Sequence, residues 1–142
     1  MGCDHMSKNN PMHEVENIMR EMLEIQQKSM MFVNLLSEGE TLSQNQLILL
    51  LQLKINGGMK ATEIADFFSV TPGAVTSMCD KLEKLHFVQR VRESEDRRVV
   101  NMKLTTEGEQ KVQEIFLKLP QEKLTEIANV LTDVNQLMQK IF

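Results

Sequence analysis

Between Thr71 and Lys84 the polar positions Gly73, Thr76, Ser77, Asp80, Lys81 and Lys84 recur on one face of a helical pattern. The side chains on this face are short near its start and basic near its end. A short hydroxyl can approach a base edge or a backbone phosphate closely, and a lysine offers phosphate a point charge. Thr71 stands just ahead of Pro72, a strong helix start: threonine accepts from an orphan N–H of the first turn, and proline loses nothing at the first helical position. A second set of charges follows at Arg90, Arg92, Arg97 and Arg98, with Asp96 beside the last two as a positioning partner. Arginine suits a narrow groove of negative potential.

Other chemistries find little support. The chain has no Gly-rich phosphate loop, no paired-histidine metal motif and no nucleophile elbow, so neither an enzyme nor a bound cofactor or metal is expected. His13 and His86 lie far apart. The two cysteines, Cys3 and Cys79, have no regular spacing, which argues against a disulfide framework or a zinc site. Cys79, next to an acidic residue, has no reason for a lowered pKa and reads as packing. There is no Tyr or Trp, and the six Phe form no cluster for stacking bases. The eleven methionines read as gap-filling core; Met19, Met22, Met30, Met31 and Met59 could instead line an adaptable pocket.

These residues need elements to position them. Ala61 to Phe68 reads as a short helix with Ile64, Ala65, Phe67 and Phe68 apolar, followed by the turn Ser69-Val70-Thr71, in which Val70 plugs the joint. The second helix runs from Pro72 to about Leu85, with Val75, Met78, Leu82 and Leu85 as its inner stripe. From Phe87 to Arg92, and again from Val99 to Leu104, apolar and polar residues alternate as in strands. Glu93 to Arg98 between them is a charged loop with no apolar residue. Helix, tight turn, helix, strand, loop, strand is the plan of a winged helix-turn-helix. An ordinary amphipathic helix followed by a solvated hairpin is the plainer alternative.

The ordered run from Ala74 to Arg90 resembles the recognition helix and first wing strand of the MarR family of bacterial transcriptional regulators. Asp96-Arg97-Arg98 and then Leu104-Thr105-Thr106-Glu107-Gly108 resemble that family's wing tip and following helix. The resemblance implies a homodimer whose recognition helices enter successive major grooves of a palindromic double-stranded DNA operator. It implies groove contacts from Thr71, Gly73, Thr76, Ser77, Lys81 and Lys84, wing contacts from Arg98 and Arg97, and bracing of the wing by Arg90 and Asp96. A repressor released by a small molecule or another signal is the activity expected. Two positions depart from the pattern. Ser77 stands where many members carry arginine, so the operator cannot be borrowed. His86 stands where glycine usually ends the helix with a positive φ, unless its side chain bonds the last carbonyls instead.

The fold expected is mainly α with a small β-wing: a winged helix-turn-helix at residues 43–104, flanked by dimerisation helices at 12–36 and 105–142. Residues 1–11 are expected to be disordered, with Met1 to His5 reading as an expression remnant. From Met12 to Leu36, Val15, Ile18, Met22 and Ile25 run along one helical face. Ser43 caps a leucine-rich helix from Gln44 to about Ile55, and Asn56-Gly57-Gly58 ends it. Thr105 starts a helix reaching about Leu119, and Pro120 stops it. From Gln121 to Lys140, Leu124, Ile127, Leu131, Val134, Met138 and Ile141 recur at alternating steps of three and four, a coiled-coil-like seam too short to stand alone. A dimer made by both chain ends fits; a monomeric three-helix packing is the alternative.

The net charge of −4 argues mildly against a nucleic-acid partner, but its distribution argues back. Residues 54–103 hold nine Lys and Arg against seven Asp and Glu, and Arg20 alone among the arginines lies outside the wing. No run is long and apolar enough for a membrane helix, and no signal peptide is seen, so a cytoplasmic protein is expected. A winged-helix module that binds protein instead of DNA is the rival reading, against which the placed arginines argue.

Overall fold

The computed structural model describes residues 10–92, 95 and 99–142. The expected wing residues Asp96, Arg97 and Arg98, and most of the expected N-terminal tail, lie outside this range. The chain divides into two compact units at Glu38 and Gly39.

The first unit is helix α1, Pro11–Ser37. The Asn10 side chain accepts from Met12 N at 3.1 Å, and Pro11 occupies the first helical position, so the start is set locally. Leu36 is the one buried residue of its 27.

The second unit opens with α2, Gln44–Asn56. Ser43 and Gln46 cap it reciprocally: Gln46 N donates to Ser43 Oγ at 3.2 Å and Ser43 N to Gln46 Oε1 at 3.0 Å. Leu47, Leu49, Leu50 and Leu53 are fully or almost fully buried, as a helix apolar nearly all round requires. Gly57 ends it in the left-handed region at φ 69°. Next come β1 (Met59–Lys60), α3 (Ala61–Phe68), α4 (Pro72–Lys84), β2 (Val88–Val91) and β3 (Asn101–Leu104). The strands form one antiparallel sheet in the order β1-β3-β2, with β3 in the middle. The two-residue strand β1 was not expected; it is too short to show a period of its own, and its pairing is tertiary.

Helix α5 spans Thr106–Phe116, with Thr105 as its cap. It ends earlier than the expected Leu119: Lys118 N and Leu119 N tighten to three-back bonds on Ile115 O and Phe116 O, both 3.1 Å, and Gln121 Nε2 also donates to Phe116 O at 3.2 Å. A short 3₁₀ turn, Gln121–Lys123, follows Pro120 and precedes α6, Leu124–Met138. The core gathers Leu42, Leu49, Leu50, Leu53, Met59, Ile64, Val75, Cys79, Leu82, Val88, Met102 and Val112. Among the described residues no helix is long and apolar enough to cross a membrane. The result is a winged helix: mainly α, with a small antiparallel β-wing.

Candidate nucleic-acid interface

Helix α3 meets α4 through a turn that the sequence encodes residue by residue. Ser69 adopts φ 53°, and Val70 N donates back to Ala65 O at 3.1 Å. Val70 is half-buried against the core. Thr71 then caps α4, its Oγ1 accepting from Ala74 N at 3.2 Å. This hydroxyl holds the helix start in place, worth about 1 kcal/mol.

Thr71, Gly73, Thr76, Ser77, Lys81 and Lys84 are all exposed. Thr76 Oγ1 donates to Pro72 O at 3.1 Å, which fixes its rotamer on the exposed face. The buried stripe is Val75, Cys79 and Leu82, a small rotation from the expected one. Met78 is half-buried, and Leu85 is exposed because the helix has already ended at Lys84. Burial raises the Cys79 thiol above its ordinary pKa.

Arg90 on β2 forms ion pairs with two carboxylates of α4, Asp80 at 2.6 Å and Glu83 at 3.0 Å. The Asp80 contact raises the guanidinium's already high pKa further, so it stays charged. The pairing has an electrostatic consequence as well as a mechanical one: Arg90 offsets one of the two carboxylate charges of α4, so that with Lys81 and Lys84 the five groups sum to +1.

The end of α4 is a Schellman cap. His86 takes φ 63°, with His86 N on Glu83 O at 2.9 Å and Phe87 N on Leu82 O at 3.1 Å. The bonds to the last carbonyls come from backbone amides, and His86 carries the positive φ itself. Thr105 fastens this corner to α5: its hydroxyl donates to His86 O, its N–H donates to Phe87 O at 3.0 Å, and its Oγ1 accepts from Gly108 N at 3.0 Å. Only glycine fits at 108, because a Cβ there would lie 2.0 Å from Phe87 O. The foot of the wing and the end of α4 are therefore one joint.

A cavity of about 310 Å³ opens between the first turn of α3, the inner side of α4 and the sheet. Lys60, Thr62, Thr76, Cys79, Arg90 and Met102 contribute to its wall. The Arg90 guanidinium is already taken up by Asp80 and Glu83, and the Thr76 hydroxyl by Pro72 O.

Residues 42–100, which hold this helix pair and most of the wing, match the model of the MarR family. Over that stretch the chain is similar to the MarR family. Over 79 residues the chain is 39% identical to the HTH-type transcriptional repressor MdtR of Bacillus subtilis, covering 56% of this chain and 51% of MdtR. The chain spans about half the length of the curated relatives it matches. Among solved structures it is similar to a mutant MarR from E. coli complexed with operator DNA, at 24% identity and TM-score 0.69, covering 94% of this chain and 99% of that one. It is similar also to NadR in complex with 4-hydroxyphenylacetate, at 25% identity and TM-score 0.69, covering 87% and 86%.

Within the matched stretch, the six groove candidates share the exposed side of α4 and its cap. Arg90 lies apart, against Asp80 and Glu83. Those two acids were not singled out as its partners. Two carboxylates three residues apart on a helix, followed by the first arginine past its turn, are the signal that pointed to them. Lys60 and Thr62 were missed too, because what brings them beside Thr76 and Arg90 is the pairing of β1 with β3.

Proposed function

We propose that the protein is a sequence-specific, double-stranded-DNA-binding transcriptional regulator of MarR type, a repressor acting as a homodimer. The observation that carries this is the exposed face of α4. It presents Thr71, Gly73, Thr76, Ser77, Lys81 and Lys84 outward while Arg90 pairs with Asp80 and Glu83 beside them. The N-terminal half of α4 enters the major groove, its hydroxyls meet base edges, and its lysines meet phosphate. Arg97 and Arg98 reach the minor groove from the wing, with Asp96 and Arg90 bracing it. The operator complex of the E. coli MarR, on a similar fold, supports this reading.

The dimer is supported by apolar surface. Val15, Ile18 and Met22 on α1 are exposed, as are Leu124, Leu131, Val134 and Ile141 at the other end of the chain; Ile127 and Met138 are half-buried. A second copy covers them. Two recognition helices then meet half-sites ~34–36 Å apart on a palindrome. That NadR, on a similar fold, is solved in complex with 4-hydroxyphenylacetate supports a small-molecule effector, and the cavity beside Lys60 and Thr62 is the place we assign to it here. An effector wedged there, behind the recognition helix, would shift that spacing and release the operator.

The test is binding to genomic fragments flanking the coding region, at two salt concentrations, beside the oligomer mass. A dimer that selects one palindromic fragment and weakens steeply with salt is expected. Arg98→Ala should lose roughly 1–3 kcal/mol of DNA affinity. A protein that selects no fragment, or an Arg98→Ala variant indistinguishable from the parent, would instead mark a module that binds protein.

A further inference from the structure

Helix α1 has a second apolar stripe beside the one assigned to the dimer. Met12, Met19, Leu23 and Met30 follow one another at steps of seven, four and seven. At about 100° per residue they share one line along the helix, rotated about 100° from the line of Val15, Ile18, Met22 and Ile25. Their exposures are 62% for Met12, 53% for Met19, 57% for Leu23 and 52% for Met30. Three thioethers therefore stand in the open along the border of the surface that a second copy covers. Met59 and Met102, by contrast, are buried in the core.

We propose that Met12, Met19 and Met30 are a modification site, oxidised by peroxide to methionine sulfoxide, and that oxidation loosens the dimer. The inference rests on the dimeric reading above. A sulfur lone pair attacks one peroxide oxygen, the O–O bond breaks, and the second oxygen leaves as water after proton transfer. The sulfur is oxidised by two electrons and the peroxide is reduced. The product carries a strongly polar S=O where an apolar thioether stood. Along α1 that change places water-seeking groups at the border of an apolar contact. The described cysteine does not compete, because Cys79 is 2% exposed and its thiol is held protonated by burial. Met31 is the internal control. It is 63% exposed, yet stands a further ~100° round the helix, away from the dimer stripe. It takes up oxygen without affecting the dimer.

The full-length protein is treated with graded hydrogen peroxide, and oxygen uptake is mapped by peptide mass spectrometry. Sedimentation gives the dimer dissociation constant before and after treatment. Met12, Met19 and Met30 should oxidise well before Met59 and Met102, and the dissociation constant should rise by about tenfold or more. A triple variant, Met12→Leu with Met19→Leu and Met30→Leu, keeps the apolar bulk and helix propensity and should hold its dimer through the same treatment. Met31→Leu should give no protection, and methionine sulfoxide reductase should restore the oxidised parent. Oxygen found first on Cys79, Cys3 or the core methionines would overturn the proposal. So would a parent dimer that survives full oxidation of the three, or a triple variant that falls apart with the parent. An untreated protein that is already monomeric defeats the dimeric reading itself, which the untreated sample reports separately.

Discussion

The reading head and the first and last helices of the chain, α1 and α6, treat their apolar residues in opposite ways. In the head, Leu47, Leu49, Leu50, Ile64 and Leu82 are sealed from water within one chain. Of the 27 residues in α1 only Leu36 is buried, and α6 buries none. Yet α6 alternates steps of three and four as regularly as any helix here. The head is complete by itself, whereas these helices carry the pattern of a core without its closure. Periodicity therefore tells which face seeks burial, and not whether the same chain supplies the cover.

The comparison can be broken from either side. Leu50→Ala removes a fully buried side chain and should lower stability by about 2–5 kcal/mol in denaturant unfolding. Leu131→Ala on α6, read in monomeric protein, should cost less than about 1 kcal/mol, since little water exclusion is lost. If the two costs match, α6 is packed as the head is. Gly108→Ala drives a Cβ into the carbonyl of Phe87 and should cost about 3 kcal/mol. It should also loosen the wing, visible as faster amide exchange at Thr105 and Phe87. Ile18→Asp should raise the dimer dissociation constant by about a hundredfold while leaving the far-ultraviolet circular dichroism of the head unchanged.

The smallest effect concerns pH. Glu40, its side chain only 8% exposed, is held between Lys111 and Lys118 of the α5 region. Its hydrogen bond from Lys111, then that from Lys118, lowers its pKa below the ordinary 4.5. Its contribution to stability is thus fully present above that ordinary value and fades as pH falls through the lowered one. Lys111 shifts upward from 10.5 for the reciprocal reason, so its contribution holds below 10.5 and fades at higher pH. Glu40→Gln should therefore melt earlier than the parent at pH 7, with the gap closing below about pH 4. A constant gap across the range would assign Glu40 a role in packing alone.

Much of this molecule was legible in the chain because it is written locally. Ser43, Thr71 and Thr105 mark three helix starts by their chemistry, and each caps the helix expected of it. His86 occupies the left-handed position that the end of α4 demands. What was not legible depends on partners distant in sequence. Strand β1 exists because Met59 and Lys60 reach Met102 and Asn101. The spacing of Asp80 and Glu83 ahead of Arg90 hints at their pairing, but it is β2 folding back beside α4 that brings them together. The inner stripe of α4 turned toward Cys79 because the side of a helix that is covered is decided by what packs on it.

The middle place of β3 limits how a signal can travel. Met102 faces Met59 on one side and Arg90 on the other. A slip of one residue along either neighbour would turn Met102 out of the core and a polar residue into it. The wing therefore has no sliding gear. Its foot is clamped to the entrance of α3 through β1 and to the exit of α4 through Thr105, so any message reaching it must tilt these parts together, as a hand turns with its wrist.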